Sequence, residues 1–163
     1  MNILFVCTGN ISRSYLAEML FKNEVRLNRM EDFFVSSAGT HACPGTSADP
    51  RMVDYLSEIG VPAESHEARI ISKKDVTWAD LILVMEKIHS EVIKDRWPEA
   101  EQKTELLGRY ISPDQSEEEI VDPFGMPLYQ YSLVRSEITL AVRSLVKKFL
   151  LERYSDQAQV HSC

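Results

Sequence analysis

The chain has 163 residues, with 18 Lys and Arg against 25 Asp and Glu, for a formal net charge of −7. That length suits one domain, and 44% hydrophobic with 26% charged residues suits a packed soluble core rather than a disordered chain. The net acidity argues against a general binder of nucleic acid or anionic membrane, while leaving room for a local basic pocket. No apolar run approaches the ~18 residues of a membrane span, and the opening residues lack the pattern of a secretory leader. Cys7, Cys43 and Cys163 form neither a CxxC pair nor a disulfide framework. Such sparse usage is expected of a reducing, cytoplasmic setting.

Taken in chain order, Asn2 to Val6 is a short run rich in Ile, Phe and Val that stops at Thr8-Gly9-Asn10. It reads as a buried central strand ending in a loop. From about Arg13, Leu16, Met19, Leu20, Val25 and Leu27 recur at helical spacing, with Ser12 or Ser14 available to cap the first turn. Asp32 to Ser37 reads as a second strand closed by Ala38-Gly39, and Cys43 to Ala48 as loop. Asp49-Pro50 opens a helix lined by Met52, Val53, Leu56 and Ile59, with Gly60 at its end. A short helix over Lys73 to Trp78 leads to a third strand, Leu81 to Met85. Glu86 to Arg96 is helical and Thr104 to Leu107 a fourth strand. Residues 112–119 form a polar loop containing Pro113, and Asp122-Pro123-Phe124-Gly125 is a turn. Leu128 to Leu151, with Leu133, Ile138, Leu140, Ala141, Leu145 and Phe149, predicts a C-terminal helix. The expected organisation is a domain over 1–154 and a flexible tail over 155–163. Strands alternating with helices imply an α/β sandwich around a parallel sheet.

The informative segment is Cys7-Thr8-Gly9-Asn10-Ile11-Ser12-Arg13-Ser14, where a parallel strand gives way to a helix. Ligands in such sheets sit beyond the carboxyl ends of the strands, and a loop entering a helix N-terminus aims several N–H groups at one point, which suits an anion. Arg13 adds a planar fork of donors matched to two phosphate oxygens. The loop would bring the Cys7 sulfur under that anion, with the N–H groups and Arg13 favouring the reactive thiolate. A lone cysteine at a strand end is equally compatible with a core filler, and the Arg13 spacing together with the strand-loop-helix context tips the balance. With its single Gly9 and no Gly-Lys-Ser/Thr ending, the loop is neither a Walker nucleotide loop nor a dinucleotide fingerprint. Covalent phosphate chemistry also needs an acid for the leaving group and a base for water. Asp122 is the best carboxylate on a rigid turn, although a turn aspartate alone carries no such meaning.

Together these residues make the chain resemble the low-molecular-weight protein tyrosine phosphatase family over nearly its whole length. The phosphate loop is followed by Ala17-Glu18, Ser37-Ala38-Gly39-Thr40, Asp49-Pro50-Arg51, His66 to Arg69 and Asp122-Pro123-Phe124, in the family's order. The resemblance implies a four-stranded parallel sheet with helices on both faces and no metal or other cofactor. It implies Cys7 as nucleophile, Arg13 as phosphate clamp and Asp122 as general acid and then base. It also implies that Thr8, Gly9, Asn10, Ile11, Ser12 and Ser14 complete the phosphate-binding loop. Asn10 would hold the loop's shape, Ser14 would donate to the cysteine sulfur, and His66 would support the loop. Ile11 and Phe124 would wall the pocket. The partner implied is a phosphorylated protein or peptide, with the enzyme a monomer or weak homodimer.

The sequence departs from the family pattern at three places. Ser12 replaces the second cysteine of many members, which removes a vicinal disulfide partner for Cys7. Tyr15 replaces the usual proline, and the region from His41 to Gly45 lacks the common tryptophan. Tyr129 and Tyr131 fall where members often carry surface tyrosines, though packing of the last helix accounts for them equally well. Phosphotyrosine is the favoured substrate class. The opening Cys-Thr-Gly-Asn and Asp122 to Gly125 resemble the protein-arginine phosphatase branch, but that branch has threonine where this chain has Ile11. Arsenate reduction would need additional cysteines near Met85 to His89, where there are none. A phosphate-binding module without catalysis is the remaining reading, opposed by the intact Cys7, Arg13 and Asp122.

Overall fold

The computed structural model describes residues 1–112 and 118–160, with 156–160 as backbone only. Four strands, β1 (Asn2–Cys7), β2 (Phe34–Gly39), β3 (Leu81–Val84) and β4 (Thr104–Leu106), form one sheet in the order β2-β1-β3-β4. Every adjacent pair is parallel. The helices are α1 (Arg13–Leu27), α2 (Pro50–Glu58), α3 (Lys73–Trp78), α4 (Lys87–Arg96) and α5 (Leu128–Val160).

The alternation along β1 decides the layers. Ile3, Phe5 and Cys7 face a core filled by Leu16, Leu20 and Phe21 of α1, Met52 and Leu56 of α2, and Ile138, Val142 and Leu145 of α5. Leu4 and Val6 face the opposite core, with Val76 of α3 and Ile93 of α4. Because both faces are covered, the strand reads as continuously apolar instead of alternating. The result is the expected three-layer α/β/α sandwich. The order places β2 on one side of β1 and β3 on the other, so the carboxyl end of β1 lies at the point where the chain's winding reverses. That is where open parallel sheets bind ligands, and Cys7 is the last residue of β1.

Several boundaries shift from the sequence reading. β2 begins at Phe34 instead of Asp32, β3 and β4 each end one residue early, and α5 continues past Leu151 to Val160. Adding a turn to an existing helix needs no new nucleus, so a polar stretch that reads as tail can extend it. Leu133 and Leu140 lie on the exposed side of α5, whereas Val134, Val142 and Val146 are buried. Ile138, Ala141, Leu145 and Phe149 are buried as the spacing predicts, so only these two leucines fall off the buried stripe. Asp49 caps α2 as expected, its Oδ1 accepting from Arg51 N–H at 3.0 Å. Ser12 occupies the N-cap position of α1 but makes no side-chain cap bond. Ser14, the other candidate, lies inside that helix. Pro113, Glu117 and Cys163 fall outside the described residues. Among the described residues, no helix is long and apolar enough to cross a membrane.

Candidate active site

The turn between β1 and α1 wraps around the Cys7 sulfur. Asn10 N–H donates to Sγ at 3.2 Å, and Ser14 Oγ lies 3.0 Å from it. The Ser14 hydroxyl accepts from Asn10 Nδ2 at 3.0 Å. Its own proton is therefore free to point at the sulfur as a hydrogen-bond donor. Cys7 is buried, with 2% of its surface exposed.

Asn10 is the pin of this turn. Its φ of 56° lies in the left-handed region, which asparagine tolerates better than most residues. Its side-chain amide is fully used. Nδ2 donates to Ser14 and, at 2.8 Å, to Ser37 Oγ, while Oδ1 accepts from Arg69 N–H at 3.0 Å. Ser37 Oγ in turn donates to Glu18 Oε2 at 2.6 Å. His66 Nε2 donates to the Asn10 carbonyl at 2.5 Å. The scattered motifs Ala17-Glu18, Ser37 to Gly39 and His66 to Arg69 thus form one shell behind the loop. Gly39 belongs to it for a steric reason, since a Cβ there would stand 2.5 Å from the Thr8 carbonyl oxygen. Thr40 and His41 N–H groups donate to the Cys7 and Thr8 carbonyls at 2.9 and 3.0 Å. Asp49 N–H donates to the Ile11 carbonyl at 2.8 Å, tying the loop to the start of α2.

Arg13 is buried to 1% exposure, and its two terminal nitrogens are held by three hydrogen bonds. Nη1 donates to Glu86 and, at 2.8 Å, to the Ile120 carbonyl, while Nη2 donates to Asp122 Oδ2 at 2.7 Å. Glu86, just after β3, holds the Arg13 guanidinium in place. Asp122 sits on the far side of the opening, 43% exposed, on the loop before α5. Its Oδ1 accepts from Phe124 N–H at 3.1 Å.

These groups surround a cleft of about 280 Å³. Cys7, Gly9, Ser12 and Arg13 line it, and Ile11 and Phe124 contribute apolar surface. His41, Cys43 and Thr46, from the segment after β2, contribute a wall that the sequence reading left unassigned. Asn10 and Ser14 do not line it; they act from behind. The Ser12 hydroxyl is buried without a hydrogen-bond partner. Cys43, an exposed free thiol, borders the same cleft as Cys7. Tyr15 turns away into the core, its ring 4.8 Å from that of His66 and its hydroxyl 3.3 Å from the Glu64 carbonyl.

Tyr131 is buried, and its hydroxyl donates to Asp49 Oδ2 at 2.8 Å, whereas Tyr129 is exposed. Burial and the Asp49 carboxylate push the Tyr131 phenol up to about 12. The sequence reading also missed Glu86 and His89. His89 Nε2 lies 2.9 Å from Thr8 Oγ1, and its Nδ1 accepts from Glu86 N–H at 3.1 Å. Burial, with Arg13 nearby, lowers His89 to about 4. Both residues follow the carboxyl end of β3, the edge where such sheets place function. That rule was the available signal. Among the described residues, no group of three or more His, Cys, Asp or Glu is arranged to hold a metal ion.

The family model for low molecular weight phosphotyrosine protein phosphatases matches residues 2–155. The chain belongs to that family. With membership comes the enzyme class, a hydrolase acting on phosphoproteins. The chain is 34% identical over 151 residues to a protein-arginine-phosphatase of Geobacillus stearothermophilus, covering 93% of this chain and 97% of that one. It is 39% identical over 123 residues to the low molecular weight protein-tyrosine-phosphatase Wzb of Escherichia coli strain K12, covering 76% and 78%. The solved YwlE arginine phosphatase from Geobacillus stearothermophilus superposes with a TM-score of 0.84 at 33% identity, covering 94% of this chain and 96% of that one.

Proposed function

We propose that the domain over residues 1–154 hydrolyses phosphotyrosine in proteins through a cysteinyl-phosphate intermediate. The observation that carries this reading is the convergence of the Cys7 sulfur, the Arg13 guanidinium and the Asp122 carboxylate on one cleft. The Cys7 thiolate attacks phosphorus, and the P–O bond to the tyrosyl oxygen breaks as Asp122 gives that oxygen its proton. Water then attacks phosphorus, Asp122 takes a proton from it, and the P–S bond breaks to return the thiolate and release phosphate. The loop N–H groups and Arg13 hold the phosphoryl oxygens in both steps. In the free enzyme Asp122 occupies one arm of Arg13. An arriving phosphoryl group competes for that arm and releases the carboxyl for proton transfer.

Ile11 and Phe124 give the cleft apolar surface suited to a phenyl ring. This favours phosphotyrosine over phosphoarginine, whose guanidinium would leave donors unpaired against them. The similarity to proteins named protein-arginine-phosphatases supports phosphoarginine as the second reading. We place the enzyme in the cytoplasm, as a monomer or weak homodimer without a cofactor. Side-by-side turnover of matched phosphotyrosine and phosphoarginine peptides tests the choice. The reading predicts faster phosphotyrosine turnover, and Ile11→Thr should move the ratio toward phosphoarginine. Faster phosphoarginine turnover by the unaltered enzyme would overturn it.

A further inference from the structure

His89 belongs to none of the roles above, yet it is 99% buried directly beside the phosphate loop. Its two ring nitrogens have different neighbours. Nδ1 accepts from Glu86 N–H at 3.1 Å, so in the neutral ring the proton must sit on Nε2. Nε2 faces Thr8 Oγ1 at 2.9 Å. With Nε2 as donor, the Thr8 oxygen is the acceptor in that bond, and the hydroxyl proton is turned away from the ring. Thr8 lines the cleft. The low basicity of His89, caused by burial and by the Arg13 charge, keeps this arrangement through neutral pH.

We propose that His89 is a positioning residue that fixes the Thr8 hydroxyl as a donor to the bound phosphoryl group. The inference rests on the reading of this cleft as the phosphate site. Thr8 would supplement the loop N–H groups and Arg13, and His89 would act only through Thr8. Glu86 links the device to the clamp, since its N–H sets the His89 tautomer while its carboxylate pairs with Arg13.

The test is competitive inhibition by inorganic phosphate of the full-length enzyme turning over p-nitrophenyl phosphate. Thr8→Val should raise the phosphate inhibition constant roughly tenfold, the loss of one hydrogen bond to a charged group. Thr8→Ser should restore it. His89→Ala should raise it by a similar factor, and Thr8→Val/His89→Ala should be no weaker in phosphate binding than Thr8→Val alone. His89→Gln, whose amide can both donate and accept, should recover most of the affinity. A purely structural histidine would lower the melting temperature without this pattern. An inhibition constant unchanged by Thr8→Val overturns the proposal without needing any His89 variant to fold. Effects of Thr8→Val and His89→Ala that multiply also overturn it. If wild type were not inhibited by phosphate at all, the reading of the cleft itself would fall, and this inference with it.

Discussion

Asn10→Ala removes the pin of the loop between β1 and α1 while leaving Cys7, Arg13 and Asp122 in place. The substitution deletes three side-chain hydrogen bonds, to Ser14, Ser37 and the Arg69 N–H. At about 1 kcal/mol each, they contribute about 3 kcal/mol. Alanine at a φ of 56° adds about 1 kcal/mol of backbone cost. Ser37 keeps its bond to Glu18 and Ser14 its contact with Cys7, so the stranded polar groups are partly compensated. The net loss expected is about 4 kcal/mol, or about 8–16 °C in melting temperature for a domain of this size. Differential scanning fluorimetry reads that loss. Turnover of p-nitrophenyl phosphate, measured below the transition, should fall at least about tenfold, because the Ser14 hydroxyl loses the bond that turns its proton toward the sulfur. A melting temperature within about 2 °C of wild type, with unchanged kcat/KM, would refute the role given to Asn10.

Asp122→Asn should cut turnover by about 10²–10⁴-fold, the usual worth of a general acid and base. It should also tighten inorganic phosphate binding about two- to fivefold, since the half-exposed carboxylate no longer competes for Arg13. Weaker phosphate binding would contradict that competition. His89 faces Arg13, His41, Asp122 and Glu86. With its folded value lowered from 6.5 to about 4, the unfolded chain binds the extra proton between those values, so stability falls as pH drops through that window. The loss from this group should be about 2 kcal/mol by pH 5. His89→Gln should flatten that limb in pH-dependent chemical denaturation, and an unchanged slope would contradict it. Peroxide should inactivate Cys43→Ser with little recovery on dithiothreitol, because Ser12 offers Cys7 no neighbouring thiol. Full recovery after prolonged exposure would count against this.

The sequence carries the loop and the first strand and helix almost unaided. The apolar run to Val6, the break at Thr8 to Asn10 and the helical spacing after Arg13 are local signals. The Asp49-Pro50 helix start is legible for the same reason. The supporting shell is not local. Glu18 on α1, Ser37 on β2, and His66 and Arg69 between α2 and α3 meet only once the chain has folded, and family resemblance alone singled them out in advance. Glu86 and His89 carried no motif at all, because their meaning lies in contacts with Arg13 and Thr8 across the β1–β3 pair. Tyr131 was ambiguous because its partner, Asp49, lies 82 positions earlier in the chain. The wall of His41, Cys43 and Thr46 comes from a loop, where periodicity has nothing to report.

The central claim is that Cys7 carries the phosphoryl group during turnover. The most direct test is intact-mass and peptide mapping of Asp122→Ala, quenched in acid during turnover of a phosphotyrosine peptide. The account predicts a mass increase of one phosphoryl group, located on Cys7 and absent from Cys7→Ala/Asp122→Ala. Continued turnover by Cys7→Ser at the wild-type rate, with no phosphoryl group on Cys7, would contradict it.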